Sequence, residues 1–165
     1  MLVLSYPAPM FATNCWLISQ GVGQECIIID PGMPDISSEV TMLVEEYKLK
    51  PVAALLTHGH LDHTFSIVPL ADGYGIPTYI HSEDRRFVSN PAGVHGPELM
   101  AQLGDIIFSE PTDLRELKNA EVINLLDMKL TAIHAPGHTR GSMMFTLNDE
   151  ILISGDVLFA GSIGR

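Results

Sequence analysis

Positive charge is scarce in this 165-residue chain: nine Lys and Arg stand against twenty Asp and Glu, a formal net charge of -11 at pH 7. A nucleic-acid backbone or an anionic membrane surface calls for a basic face, so neither is expected as the main partner. Cysteine is scarcer still. Cys15 and Cys26 form no CxxC pair and no disulfide framework, which predicts reduced thiols and a cytoplasmic location. No apolar run reaches membrane-spanning length. The first residues show no basic segment followed by a long apolar core, so no signal peptide is expected. Walker-type loops and GxGxxG are missing, and Ser154-Gly155-Asp156 lacks the flanking glycines of a nucleophile elbow. With 46% hydrophobic and 18% charged residues, what remains is a folded globular composition able to bury a core as one domain.

The apolar pattern predicts alternating strands and helices. Leu2 to Tyr6, Ala12 to Ser19 and Glu25 to Asp30 read as strands, the last with the wholly apolar centre Cys26-Ile27-Ile28-Ile29. Ile36, Val40, Leu43, Val44 and Tyr47 recur at helical spacing up to Pro51. Val52 to Leu56 is the next strand, followed by a helix from about Leu61 to Leu70 and a strand from Pro77 to His81. This order predicts an α/β layer with helices packed on a sheet. Ser82 to Asp127 is loop-rich, with a short helical piece around Glu98 to Leu103. Lys129 to His134 alternates as a strand, and Met143 to Leu147 with Ile151 to Ser154 forms a hairpin about Asn148-Asp149.

Within this pattern, Thr57-His58-Gly59-His60-Leu61-Asp62-His63-Thr64 stands apart. Four potential metal ligands lie within six positions, directly after an apolar strand. Imidazole and carboxylate suit borderline cations such as zinc. Extended backbone sends His58 and His60 to the same side. Asp62 and His63, in a first helical turn, point elsewhere, which suits two adjacent ions. A lone Asp62 would be a helix cap; three histidines beside it make that reading insufficient. His138 follows a strand in a Pro-Gly turn, and Asp156 follows a strand and a glycine. Each alone reads as a solvated loop residue or a turn cap, but ligand sites in α/β sheets gather at strand ends. A carboxylate such as Asp156 could bridge two cations. His81, His95 and His134 read as core or surface histidines, with His134 a possible outer partner of the site.

With His58-x-His60-x-Asp62-His63, Pro136-Gly137-His138-Thr139 and Gly155-Asp156 in order, the chain resembles the metallo-β-lactamase-fold hydrolases, and most closely the glyoxalase II (hydroxyacylglutathione hydrolase) branch. The resemblance implies an αβ/βα sandwich of two mixed β-sheets flanked by helices, with a two-metal site at the edge between them. It implies His58, His60 and His138 on a first metal, Asp62 and His63 on a second, and Asp156 bridging. The ions implied are one or two Zn2+, with iron or manganese as alternatives. Asp62 would orient the water, and a metal-bound hydroxide would cleave a small-molecule thioester such as S-lactoylglutathione. Arg165 matches a basic residue that binds the thiol cofactor's carboxylate; otherwise it is a solvated terminus. The family's closing helices and a further histidine ligand have no counterpart in residues 1–165, so the chain is expected to be a single domain incomplete at its C-terminus, with the second metal weaker. Arg140-Gly141 also stands where many relatives have Pro-Gly. A persulfide dioxygenase holding one Fe(II) with His58, His138 and Asp156, or an inactive metal-binding fragment, are the competing expectations.

Overall fold

The computed structural model describes all of residues 1–165. Its first strand, Leu2–Pro7 (β1), exposes every second residue, whereas Asn14–Ser19 (β2) and Glu25–Ile29 (β3) bury nearly all of theirs. That contrast separates an edge strand from interior ones. Lys50–Leu55 (β4), Thr78–His81 (β5) and Leu114–Leu117 (β6) complete a six-stranded sheet in the order β1-β2-β3-β4-β5-β6. β1, β2 and β3 pair antiparallel; β3, β4, β5 and β6 run parallel. Parallel neighbours need long crossovers. These carry Ser37–Glu46 (α1), Leu61–Thr64 (α2) with Ile67–Tyr74 (α3), and Ser82–Ser89 (α4) with Ala92–Leu103 (α5).

Val122–Leu125 (β7), Met128–His134 (β8), Met143–Leu147 (β9) and Ile151–Ile153 (β10) form a second sheet in the order β10-β9-β8-β7. Sequential antiparallel pairing makes this sheet antiparallel throughout, so only the larger of the two sheets is mixed. Leu158–Phe159 (β11) and Ser162–Ile163 (β12) pair as a small ribbon.

Two apolar clusters hold the layers together. On one face of the large sheet, Leu17, Ile28, Ala54 and Ile80 meet Val40 and Val44 of α1, Ile67 and Leu70 of α3, and Val88 of α4. On the other, Ile18, Ile27, Ile29 and Leu55 meet Leu130, Ala132, Phe145 and Leu147 of the second sheet. The expected α/β sandwich is therefore present, with helices on the large sheet's outer face. Cys15 and Cys26 are both free and buried in the helix-side cluster. No helix is long and apolar enough to cross a membrane.

Three expectations about elements change. The helix from Leu61 to Leu70 is broken into α2 and α3, because the buried Ser66 turns its amide to Pro31 O (3.0 Å) and its hydroxyl to Gly32 O (2.7 Å). The loop-rich stretch after His81 contains α4, whose inward face presents little beyond Val88 and Asp84, too few apolar positions to show a period. The helical piece at Glu98 to Leu103 begins earlier, at Ala92, and is kinked where Gly96 adopts φ 74° ahead of Pro97.

Candidate metal centre

Four strand ends meet at one edge. β3 leads into Asp30, β4 into Thr57 and His58, β8 into the loop bearing His138, and β10 into Asp156. The sheets are joined there by the Met143 amide, which donates to Thr57 O at 2.7 Å.

Three of the expected ligands converge. His60 Nδ1 lies 3.1 Å from His58 Nε2 and 2.9 Å from His138 Nε2. Their protonation follows from their outer partners. His138 Nδ1 lies 2.9 Å from the backbone oxygen of Arg165, which can only accept, so Nδ1 carries the proton and Nε2 a lone pair. Thr57 Oγ1 donates to Asp30 Oδ2 (2.6 Å) and so accepts from His58 Nδ1 (3.1 Å), again leaving Nε2 as a lone pair. His60 Nδ1, between two acceptors, can donate to one of them only. A cation shared by the three satisfies what a proton cannot, which is the arrangement a metal requires. Burial, reinforced by the neighbouring imidazoles, lowers His58 well below its ordinary range and His60 to about 4. Both are therefore neutral and ligand-ready at pH 7.

His63 heads a second group with His58 and Asp156. Its Nδ1 is held by Asp30 Oδ2 at 3.0 Å. Its Nε2 sits in ion-pair range of Asp156 Oδ1 (3.3 Å) and Asp62 Oδ2 (3.4 Å), without a well-directed hydrogen bond to either. Burial opposes its charge, yet Asp30, Asp156 and Asp62 together outweigh that and push it up to about 10. Without a metal, an imidazolium is the cation that this pocket of carboxylates holds. Asp156 offers one oxygen to each group, Oδ1 toward His63 and Oδ2 at 3.6 Å from His138 Nε2. Burial works against its ionised form, but His63, His138 and His60 hold its carboxyl below the usual carboxylate range. The donors thus fit one ion among His58, His60 and His138 and a second near His63, with Asp156 between.

Asp62 stands beside His63, its Oδ2 3.4 Å from His63 Nε2, and that same oxygen receives the Thr13 hydroxyl at 2.9 Å. It lines a cavity of about 690 Å³ with His63, Asp156, Trp16 and Phe159. Arg165 is exposed, and its backbone oxygen, rather than its guanidinium, meets the site.

Sequence reasoning missed three supports. Asp30 anchors Thr57 and His63 from the end of an apolar strand, and that placement was its only visible signal. Asp84, fully buried in α4, accepts from Gly59 N (2.9 Å), Thr139 Oγ1 (2.6 Å) and Gly141 N (2.8 Å). One carboxylate so ties the His58–His60 loop to the His138 loop, and the ligands His60 and His138 are 78 residues apart in sequence. His95 accepts from Leu61 N at 2.8 Å, capping α2 beside His60. Neither Asp84 nor His95 has a motif around it. His134 stacks on His81 (ring centroids 4.0 Å apart) and donates from Nε2 to Arg140 O at 2.8 Å, bracing the His138 loop but touching no ligand.

Gly155 positions Asp156. It adopts φ +48°, and a Cβ there would lie 2.6 Å from Thr57 Cβ. Thr57 cannot retreat, being held by Asp30. Gly155→Ala should therefore cost about 2 kcal/mol of stability, measured as a lower urea midpoint with unchanged m-value; an unchanged midpoint would refute the close-approach argument.

Residues 8–165 match the family described as Metallo-beta-lactamase superfamily. The uncharacterized protein ML0493 of Mycobacterium leprae is 36% identical over 168 residues, covering 100% of this chain and 77% of that protein. Hydroxyacylglutathione hydrolase GloC of Haemophilus influenzae is 32% identical over 165 residues, covering 96% and 73% respectively. Among solved structures, the BLEG-1 B3 metallo-beta-lactamase superposes with a TM-score of 0.83 at 29% identity, covering 99% of this chain and 76% of that one. Two facing sheets, ligands gathered where their strands end, and a match over nearly the whole length lead to one conclusion: the chain belongs to the metallo-beta-lactamase superfamily.

Proposed function

We propose that this chain is a metal-dependent hydrolase of thioesters, with zinc as the working metal and iron or manganese as the alternatives to test. The observation that carries the metal-dependent part is the convergence of ring nitrogens of His58, His60 and His138 on one point, two of them with fixed lone pairs. A divalent ion held there acidifies water toward neutral pH and polarises a carbonyl oxygen. The protein's own groups do the rest. His58 and His138 are oriented as ligands by Thr57 and by the Arg165 backbone oxygen, and His63 is aimed by Asp30. Asp62, held by Thr13 at the cavity wall, would orient the attacking water, a role its position beside His63 supports. A protein nucleophile is not needed. Burial raises the Cys15 thiol far above its ordinary range and Cys26 to about 12, so neither serves as one.

The thioester class is supported by the likeness to a hydroxyacylglutathione hydrolase. A second reading, β-lactam hydrolysis, is favoured by the likeness to BLEG-1. A third, a persulfide dioxygenase with one Fe(II), is favoured by His58, His138 and Asp156 standing together as two histidines and a carboxylate. Turnover of S-lactoylglutathione by protein loaded with Zn(II), Mn(II) or Fe(II) tests the first. A cephalosporin assay and oxygen uptake with glutathione persulfide test the others. No thioester turnover with any of the three metals, alongside activity in either other assay, would replace the proposal.

A further inference from the structure

Cations are few in this chain, so where they stand unpaired is informative. Of five arginines, Arg85 is engaged by Glu110 (2.7 Å) and Glu116 (3.4 Å), and Arg115 by Asp113 (2.7 Å). Arg86, Arg140 and Arg165 have no carboxylate within 4.0 Å. In a protein of net charge -11, these three guanidinium groups stand free of carboxylates. Two of the three line the same cavity, of about 460 Å³, together with His60 and His138.

That cavity opens on the His60/His138 side of the centre, apart from the larger one on the His63 side. Both arginines belong to its wall, and the structure around them is fixed. Arg85 turns to Glu110 and Glu116, whereas Arg86 lies over the Phe87 ring, 4.8 Å from its centroid, and Phe87 is itself part of the wall. Arg140 sits in the loop that Asp84 and His134 brace, through the Gly141 amide and the Arg140 carbonyl. The only acidic residue lining the cavity is Glu83, which pairs with neither arginine. Its wall is therefore net positive before any metal is bound, against the sign of the whole chain.

We propose that Arg86 and Arg140 form a carboxylate-binding subsite that selects substrates bearing a carboxylate on the group next to the scissile bond. This rests on the hydrolase reading for its place in the reaction, but not for its ligand chemistry. Guanidinium matches a carboxylate with two parallel N–H···O bonds. Because both side chains are exposed, screening limits the gain, and about a tenfold preference for the charged form is expected from the pair.

S-methylglutathione, a thioether with no bond to hydrolyse, separates binding from turnover. Calorimetric titration should show the zinc-loaded protein binding it about tenfold tighter than its diethyl ester. The Arg86→Gln/Arg140→Gln double variant should bind both alike and remain folded, its melting temperature lowered by no more than about 4 °C through loss of the Arg86 contact with the Phe87 ring. Equal affinity of acid and ester in the unaltered protein, no binding of either, or a full preference surviving in the double variant would overturn the subsite. A preference that persists in protein inactive toward every thioester would leave the subsite standing and remove the hydrolase assignment instead.

Discussion

Adding Zn(II) to metal-stripped protein should raise its melting temperature by about 10 °C. An ion bound to the folded chain alone, at a thousandfold excess over its dissociation constant, stabilises by about 4 kcal/mol, and each kcal/mol is worth about 2–4 °C at this chain length. The size of the effect follows from the metal-free centre. Its three facing imidazole nitrogens include two fixed acceptors and one that satisfies only one of them. A cation shared by the three removes that defect. Replacing His60 by alanine should abolish most of the shift, because it deletes the nitrogen that touches both others. Differential scanning calorimetry with Zn(II), Mn(II) and Fe(II) checks this. A curve unmoved by all three would mean that the cluster is not a metal centre.

The second large effect is expected from a residue that touches no metal. Asp84→Ala leaves the Gly59 and Gly141 amides and the Thr139 hydroxyl without their acceptor, in a place from which water is excluded. Thr139 retains Ser142 Oγ at 2.8 Å, but the two amides have no substitute. Orphaning donors of this kind around a buried charge costs about 3 kcal/mol. Metal affinity should fall with it by about 10–100-fold, the range for losing a support behind a ligand. Gly59 lies between two ligands, and Thr139 and Gly141 follow the third. Asp84→Asn should fall between wild type and alanine, since its amide keeps one acceptor but turns a donor on a backbone N–H. Urea unfolding and a competitive zinc titration on both variants distinguish this from a purely structural role. A loss of stability without a loss of affinity would show that Asp84 holds the fold but not the site.

Much of this molecule was legible before its coordinates. The strands Glu25–Ile29 and Met143–Leu147 announce themselves by apolar content and alternation, since a sheet buried on both faces tolerates little else and one buried on a single face alternates. The ligand cluster was legible because density of metal-binding side chains is a local property. What resisted reading was α4 and the kinked α5. Their inward faces are a single valine and a carboxylate in one case and no fully buried residue in the other, so no period marks them. Ser66 breaks a helix through bonds to Pro31 and Gly32, partners more than thirty residues away that no local pattern encodes.

The centre divides in the same way. The sequence by itself determined which side chains were available: His58, His60, Asp62 and His63 on one stretch, His138 and Asp156 at later strand ends, and too few cations to favour a polyanionic partner. Only the tertiary structure decided how they are shared. It brought His138 within 2.9 Å of His60, placed Asp156 between His63 and His138, and set Asp62 beside His63 under the Thr13 hydroxyl. It alone showed that Asp30 and Asp84 hold the ligands and that Arg86 and Arg140 stand unpaired beside them. The reason is physical. Ligand chemistry belongs to a side chain, whereas its tautomer, charge and aim belong to partners that folding delivers from distant parts of the chain.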